Sequence, residues 1–263
     1  MAEAPERSAS GSPLPGLGRL PAPSSLRALG SVPPEALLVT AGLSVQIGAS
    51  LATDLLRTHP AIEVVALRLV FGAALLLLLR RPSLALARPG AWRSAAVLGV
   101  IFVAMNTSFY LAISRIPLGV AVTLEFWGPL AVAVFGSRRL RDLVWVALAA
   151  LGIYLLAGGR IVADDLLGVA GALAAGLFWL TFILIGPRIG RDWPDGRGLA
   201  VALVFGSGLA VPLALVTGWL GGGGLAGGGL AAGLDLGLLG TGLVIAGFSS
   251  ALPWSLELAA MRR

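Results

Sequence analysis

Glu125 is the side chain best placed to do chemistry in this sequence. It lies in Thr123-Leu124-Glu125-Phe126-Trp127-Gly128-Pro129, within an otherwise apolar run. Pro129 has no N–H to give to the carbonyl four residues back, which is that of Glu125 itself. A carboxylate and a freed carbonyl thus coincide, an arrangement suited to holding an ammonium group or a proton. The structural alternative is an acid bonded to a neighbouring helix. Asn106, Tyr110 and Ser114 recur every four residues, so one helix face carries an amide, a phenol and a hydroxyl. Such a face looks into a cavity or bonds a partner helix. Gln46 sits midway along the first apolar run, and Arg68 about two turns inside the second, where an ion pair is the expected role and substrate contact the alternative. Ser250, Trp254 and Glu257 share a face beside Pro253, and Trp127 and Trp179 are mid-run rather than at the run ends where interfacial aromatics collect. The substrate-binding candidates drawn from this set are Gln46, Asn106, Tyr110, Glu125 and Trp179.

Residue counts exclude several chemistries. All 19 basic side chains are Arg, which removes lysine Schiff bases and the Walker A lysine. With no Cys and the single His59, thiolate metal sites, iron–sulfur clusters and paired haem ligands are excluded as well, so no cofactor is expected. A net charge of +6 would suggest nucleic acid in a soluble protein, but the arginines fall between apolar runs, where their placement is topological, and no nucleic-acid partner is expected.

The elements that must carry these residues are membrane helices. Of the 263 residues 57% are apolar and 12% charged, with a mean hydropathy of +0.92, whereas a soluble domain is about 25% charged. The apolar runs span Ala36 to Leu56, Ala61 to Leu79, Ser94 to Ile113, Leu118 to Gly136, Asp142 to Gly158, Leu166 to Ile185, Gly198 to Gly218 and Leu236 to Ala260. Each has the length of a helix crossing a bilayer, and continuous rather than alternating hydrophobicity argues against a barrel. The fold class expected is all-α, with about eight transmembrane helices and the lipid bilayer as solvent.

Residues 1–34 are rich in Pro, Ser and Gly and read as a disordered tail. Arg7, Arg19 and Arg27 of that tail fall on one side with Arg80, Arg81, Arg88, Arg93, Arg138, Arg139, Arg141, Arg188, Arg191, Arg197, Arg262 and Arg263; Arg57, Arg115 and Arg160 fall on the other. The positive-inside rule then places the N-terminus in the cytoplasm. Gly221 to Gly229 reads as a flexible outer loop, and Asp164 and Asp165 as caps of the sixth span rather than metal ligands.

Ala112-Ile113-Ser114-Arg115 is faintly echoed by Ala259-Ala260-Met261-Arg262, 147 residues on and about five spans later. Units with an odd number of spans insert upside down relative to each other, as in many secondary transporters. Four stretches then carry a family likeness: Val65-Ala66-Leu67-Arg68-Leu69; Asn106 with Tyr110-Leu111-Ala112; Ile116 through Phe126 with Gly128-Pro129-Leu130-Ala131; and Ser249 through Glu257. Over about residues 35 to 263 the chain resembles the threonine/homoserine exporter branch of the drug/metabolite transporter superfamily, with EamA-type domains.

The resemblance implies a ten-helix carrier of the bacterial inner membrane, built as a five-plus-five inverted repeat, that exports small amino acids or related metabolites; the reading is a proton-coupled or facilitated exporter working by alternating access. Residues 35–160 would form the first five-helix repeat and 161–263 three helices of an incomplete second. The family continues with a ninth span bearing Leu-Glu-Pro and a tenth, and this sequence ends at Arg263 before either. The competing readings are an intramembrane enzyme acting on a lipid-linked substrate, which needs clustered Asp, His or Arg at a membrane face, and a truncated membrane protein that does not transport.

Overall fold

The computed structural model describes residues 32–80, 90–136, 165–193, 198–218 and 236–253, with isolated positions at 144, 147–148, 151–152, 155, 220 and 255–256. Nearly all of the tail, most of the Asp142 to Gly158 run, Asp164, the Gly221 to Gly229 loop, Trp254, Glu257 and the Ala259 to Arg262 echo lie outside the described residues. The described elements are helices: α1 (Pro34–Leu55), α2 (Ala61–Arg80), α3 (Ala91–Ile113), α4 (Leu118–Glu125), α5 (Trp127–Gly136), α6 (Leu166–Asp192), α7 (Gly198–Gly218) and α8 (Leu236–Ala246), the last running into a π-helical turn, Gly247–Ala251. Among the described residues six spans are long and apolar enough to cross a membrane, with α4 and α5 together making one of them, and Leu236–Ala251 is a shorter apolar helix. The protein is an all-α, polytopic membrane protein.

Helix starts follow local chemistry. Pro34 occupies the first position of α1, where its missing N–H costs nothing, and Glu35 lies in the first turn beside the positive end of the helix dipole. Gly90 precedes α3 with φ 85°, a left-handed conformation that penalises any Cβ. Asp165 caps α6 as expected from the sequence: one carboxylate oxygen accepts from the N–H groups of Leu167 and Gly168, both at 2.9 Å, and the other accepts from Arg115 Nη1 at 3.0 Å. These bonds, led by that from Gly168, hold the Asp165 carboxyl below the ordinary aspartate range. Its contribution to stability is therefore complete above the unfolded-state pKa, about 3.9, and is lost as pH falls through the lower folded value. Asp165→Asn keeps a capping oxygen but removes the titration and the Arg115 partner. The expected result is a lower melting temperature in detergent at neutral pH, with the gap to wild type closing towards pH 3. A gap of constant size across that range would remove the charge from the account.

The fourth span crosses as Leu118–Gly136, as expected, with a one-residue interruption of the helix at Phe126 between α4 and α5. Pro129 explains only part of the break. On α6, Gly176 abuts the Glu125 carbonyl and the Trp127 indole, while Gly128 abuts the carbonyl of Gly176. Trp127 Nε1 also donates to the carbonyl of Leu173 at 2.9 Å. The broken backbone thus seats directly on α6, as small residues permit between membrane helices. Trp127 is engaged in this packing and is absent from the cavity described below.

The core is built around α3, which packs on α6 and α7, while α2 packs on α7 and the π-helical turn rests on α1 and α2. The seams are again small. A Cβ at Gly99 of α3 would lie 2.6 Å from the Ala202 carbonyl oxygen of α7, and one at Gly171 of α6 would lie 2.9 Å from that of Ser108 on α3. At the opposite end of α3, Trp193 is 1% exposed, donates to the carbonyl of Ala91 at 3.1 Å and meets Trp92 edge-on. Large apolar side chains such as Val39, Leu43, Leu79 and Phe135 project outward, as lipid-facing positions should.

Candidate functional site

Most hydroxyls within the spans satisfy themselves. Thr40, Thr53, Thr123, Thr181, Ser207 and Thr217 each donate to the carbonyl four residues back on their own helix, which removes the cost of a free donor in an apolar medium. The polar groups without such a partner are therefore the informative ones. A cavity of about 650 Å³ gathers several of them between α1, α2, α3, α4, α6 and the π-helical turn.

Four of the five residues singled out from the sequence line this cavity: Gln46, Asn106, Glu125 and Trp179. Asn106 is buried and spends one amide hydrogen on the carbonyl of Phe102 at 2.7 Å, leaving its oxygen available. Trp179 stands edge-on to Phe126 at 5.1 Å between ring centroids, so the break in the fourth span and the aromatic wall are one unit. Glu125 is half-buried beside it. The fifth residue, Tyr110, is fully buried and is not on the cavity wall. Its hydroxyl instead accepts from Arg68 Nη1 at 3.3 Å, and its ring lies 5.8 Å from the guanidinium carbon. Ser114, on the same helical face, is exposed and bonds back to the carbonyl of Leu111.

Arg68 departs from expectation. The ion pairs among the described residues join Arg57 to Asp54, His59 to Glu63 and Arg115 to Asp165, so Arg68 is in none of them. It lines the cavity and is held from behind by Tyr110 and by the Ser249 carbonyl, which accepts from Nη2 at 3.1 Å. The sequence marked Arg68 as a span residue but could not show that, among the described residues, no carboxylate would come within ion-pair distance of it. Ser249 and Ser250 complete this wall, and the Ser249 hydroxyl, packed over Gly48, is buried without a hydrogen-bond partner. Glu63 escaped the sequence reading altogether. It is 1% exposed in the first turn of α2, with neither carboxylate oxygen hydrogen-bonded and His59 Nδ1 at 4.0 Å. Its position near the end of an apolar run gave no signal of such burial.

The cavity thus combines one cation, one carboxylate, two amides, two serines and an aromatic wall inside a membrane bundle. Its few converging polar groups in an apolar surround have the composition of a ligand pocket. The chain is 39% identical over 252 residues to the threonine/homoserine exporter RhtA of Escherichia coli K12, with 92% of this chain and 78% of that protein aligned. The chain belongs to the RhtA exporter family. RhtA of Salmonella typhimurium LT2 is 38% identical over the same length. No family model matches the chain. No solved structure gives a significant match. Membership in this EamA-type family, together with the polytopic helical fold, makes the chain a secondary transporter.

Proposed function

We propose that the protein exports small amino acids such as threonine and homoserine from the bacterial cytoplasm by alternating access around this cavity. The observation that carries the reading is the convergence of Gln46, Asn106, Glu125 and Trp179, from four separate helices, on one cavity of about 650 Å³. The size suits a small amino acid with accompanying water. The relatives named above are threonine/homoserine exporters, which supports the same substrate class here.

The chain is read as part of a five-plus-five inverted repeat of the inner membrane, with its N-terminus cytoplasmic, residues 35–160 as the first unit and 161–263 belonging to the second. Helix pairing supports the repeat. Shifting by five spans converts the α3–α6 pairing into that of the eighth span with α1, converts α3–α7 into the eighth span with α2, and returns α2–α7 to itself; each of these pairings is present. The side assignment is supported by the bond between Arg115 and Asp165, which ties two connections expected on the same, outer face. In this orientation protons entering from outside are the natural coupling ion, and Glu125 is the cavity group able to exchange one for a substrate ammonium.

Export of labelled threonine from preloaded cells, compared with an empty-vector control, tests the function. Faster loss from cells making the protein is expected. Equal rates at verified membrane abundance would remove the exporter reading.

A further inference from the structure

Arg68 is a cation within a membrane bundle that is in none of the close ion pairs among the described residues, although Glu125 across the cavity feels its charge. Of the five N–H donors of a guanidinium, one goes to the Tyr110 hydroxyl and one to the Ser249 carbonyl. Neither acceptor is charged. Nε–H is shielded from solvent and bonded to nothing. A charge left this way is costly in an apolar medium unless an anion supplies what the protein withholds. The two neutral acceptors fix the plane of the guanidinium, and the remaining donors form the fork that fits a carboxylate.

Glu125 presents the complementary case. It lines the same cavity, is in none of the close ion pairs among the described residues, and has Arg68 as the charge that acts on it across the cavity. Its depth matches that of Arg68. Arg68 is seven residues from Ala61, the start of α2, and Glu125 is seven from Leu118, the start of α4. These are the second and fourth spans, which run in the same direction, so both charges stand about 10 Å inside the same membrane face at 1.5 Å per residue. They share a cavity and a level without pairing.

We propose that the cavity is a zwitterion site, in which Arg68 binds the α-carboxylate and Glu125 the α-ammonium of a free amino acid. This assignment rests on the carrier reading above and narrows it. The site demands both charges on adjacent positions of one molecule, so a simple amine or a simple carboxylic acid leaves one buried charge unmatched. Selection against lipid-soluble amines therefore originates at Arg68.

The test is counterflow of labelled L-threonine into proteoliposomes, with three unlabelled competitors: L-threonine, 1-amino-2-propanol, which lacks the carboxylate, and 3-hydroxybutyrate, which lacks the ammonium. Wild type should be inhibited by threonine at concentrations about 10- to 100-fold below those needed for either analogue, the range expected for one lost charge-assisted hydrogen bond. Arg68→Gln should raise the threonine concentration needed towards that of the amine while leaving inhibition by the amine unchanged, and Arg68→Lys should recover part of the difference. A purely structural role for Arg68 would weaken all three competitors alike, and this would overturn the proposal. Should Arg68→Gln fail to fold, the wild-type series still decides. An amine that competes as well as threonine refutes the zwitterion site and leaves the carrier reading standing, whereas absence of threonine counterflow by reconstituted wild type refutes both.

Discussion

Glu125→Gln should abolish active efflux while the protein still inserts at normal abundance. The substitution keeps side-chain volume and hydrogen-bonding capacity and removes the charge and the titration. Glu125 is half-buried on the cavity wall and is in none of the close ion pairs among the described residues, so its charge is not spent on a salt bridge between helices. A structural acid at this position would tolerate the amide. A carboxylate that holds a substrate ammonium loses a charge-assisted bond worth about 1.5–3 kcal/mol, roughly a tenfold to hundredfold weakening. One that also carries the coupling proton loses the dependence of efflux on external pH. Efflux against external pH, with membrane abundance as control, checks both consequences. Wild-type rates and wild-type pH dependence in the Gln variant would take Glu125 out of the site.

Gly176→Leu should be the most damaging single change on α6. The glycine abuts both the Glu125 carbonyl and the Trp127 indole across the break in the fourth span. A leucine there has no space to enter without pushing α4 and α5 away from α6, and overpacking of this kind costs about 1–3 kcal/mol or more. The displaced segment carries Phe126, whose ring contact with Trp179 forms part of the cavity wall. Loss of folded protein from the membrane, or retention of protein with efflux lost, is the expected outcome, and Gly176→Ala should be intermediate. Gly186 on the same helix meets nothing within 4 Å. Gly186→Leu is therefore the matched control and should leave both abundance and efflux near wild type. Equal effects at the two positions would show that propensity in α6, rather than the contact with the fourth span, is what leucine disturbs.

The contrast between these two glycines shows where sequence reading stops. Spans such as Ala61–Leu79 and Gly198–Gly218 were legible residue for residue, because continuous hydrophobicity over bilayer length leaves the backbone no alternative to a helix. Asp165 was legible as a cap because the chemistry of capping is local. Pro129 likewise announced a weak point, and Glu125 beside it lines the cavity. The close seat of this interruption on Gly176, about 50 residues away in the chain, was not legible.

The site residues divide along the same line. Gln46 and Trp179, singled out by their mid-span depth, and Asn106, singled out by its helical spacing, all line the cavity. Tyr110 was grouped with Asn106 by helical spacing, yet its hydroxyl turns to Arg68 behind the wall. Periodicity identifies a face of a helix but not which neighbour that face meets. That Arg68 is in none of the close ion pairs among the described residues depends on where several helices place their carboxylates, and no single segment of sequence contains it. Glu63 is hidden for a related reason: an acid in the first turn of a helix ordinarily meets water, and only the packing around α2 denies it that.

The π-helical turn Gly247–Ala251 gives the eighth span an adjustable register. Its backbone rings each enclose one residue more than those of an α-helix, and the turn sits where Ser44 donates to the Phe248 carbonyl at 2.6 Å and Arg68 to that of Ser249 at 3.1 Å. Tightening it to α geometry would pass the surplus residue along the chain and turn the segment by about 100°, one residue's share of a helical revolution. The Ser249 carbonyl would then leave Arg68, freeing one more guanidinium N–H, and a different side chain would face Gly48. Only the few hydrogen bonds of one turn need to be exchanged, while the remainder of α8 keeps its seat on α2. The span thus stores slack of a single residue beside the guanidinium, and a rearrangement of that size is cheap next to the movement of a whole helix through lipid.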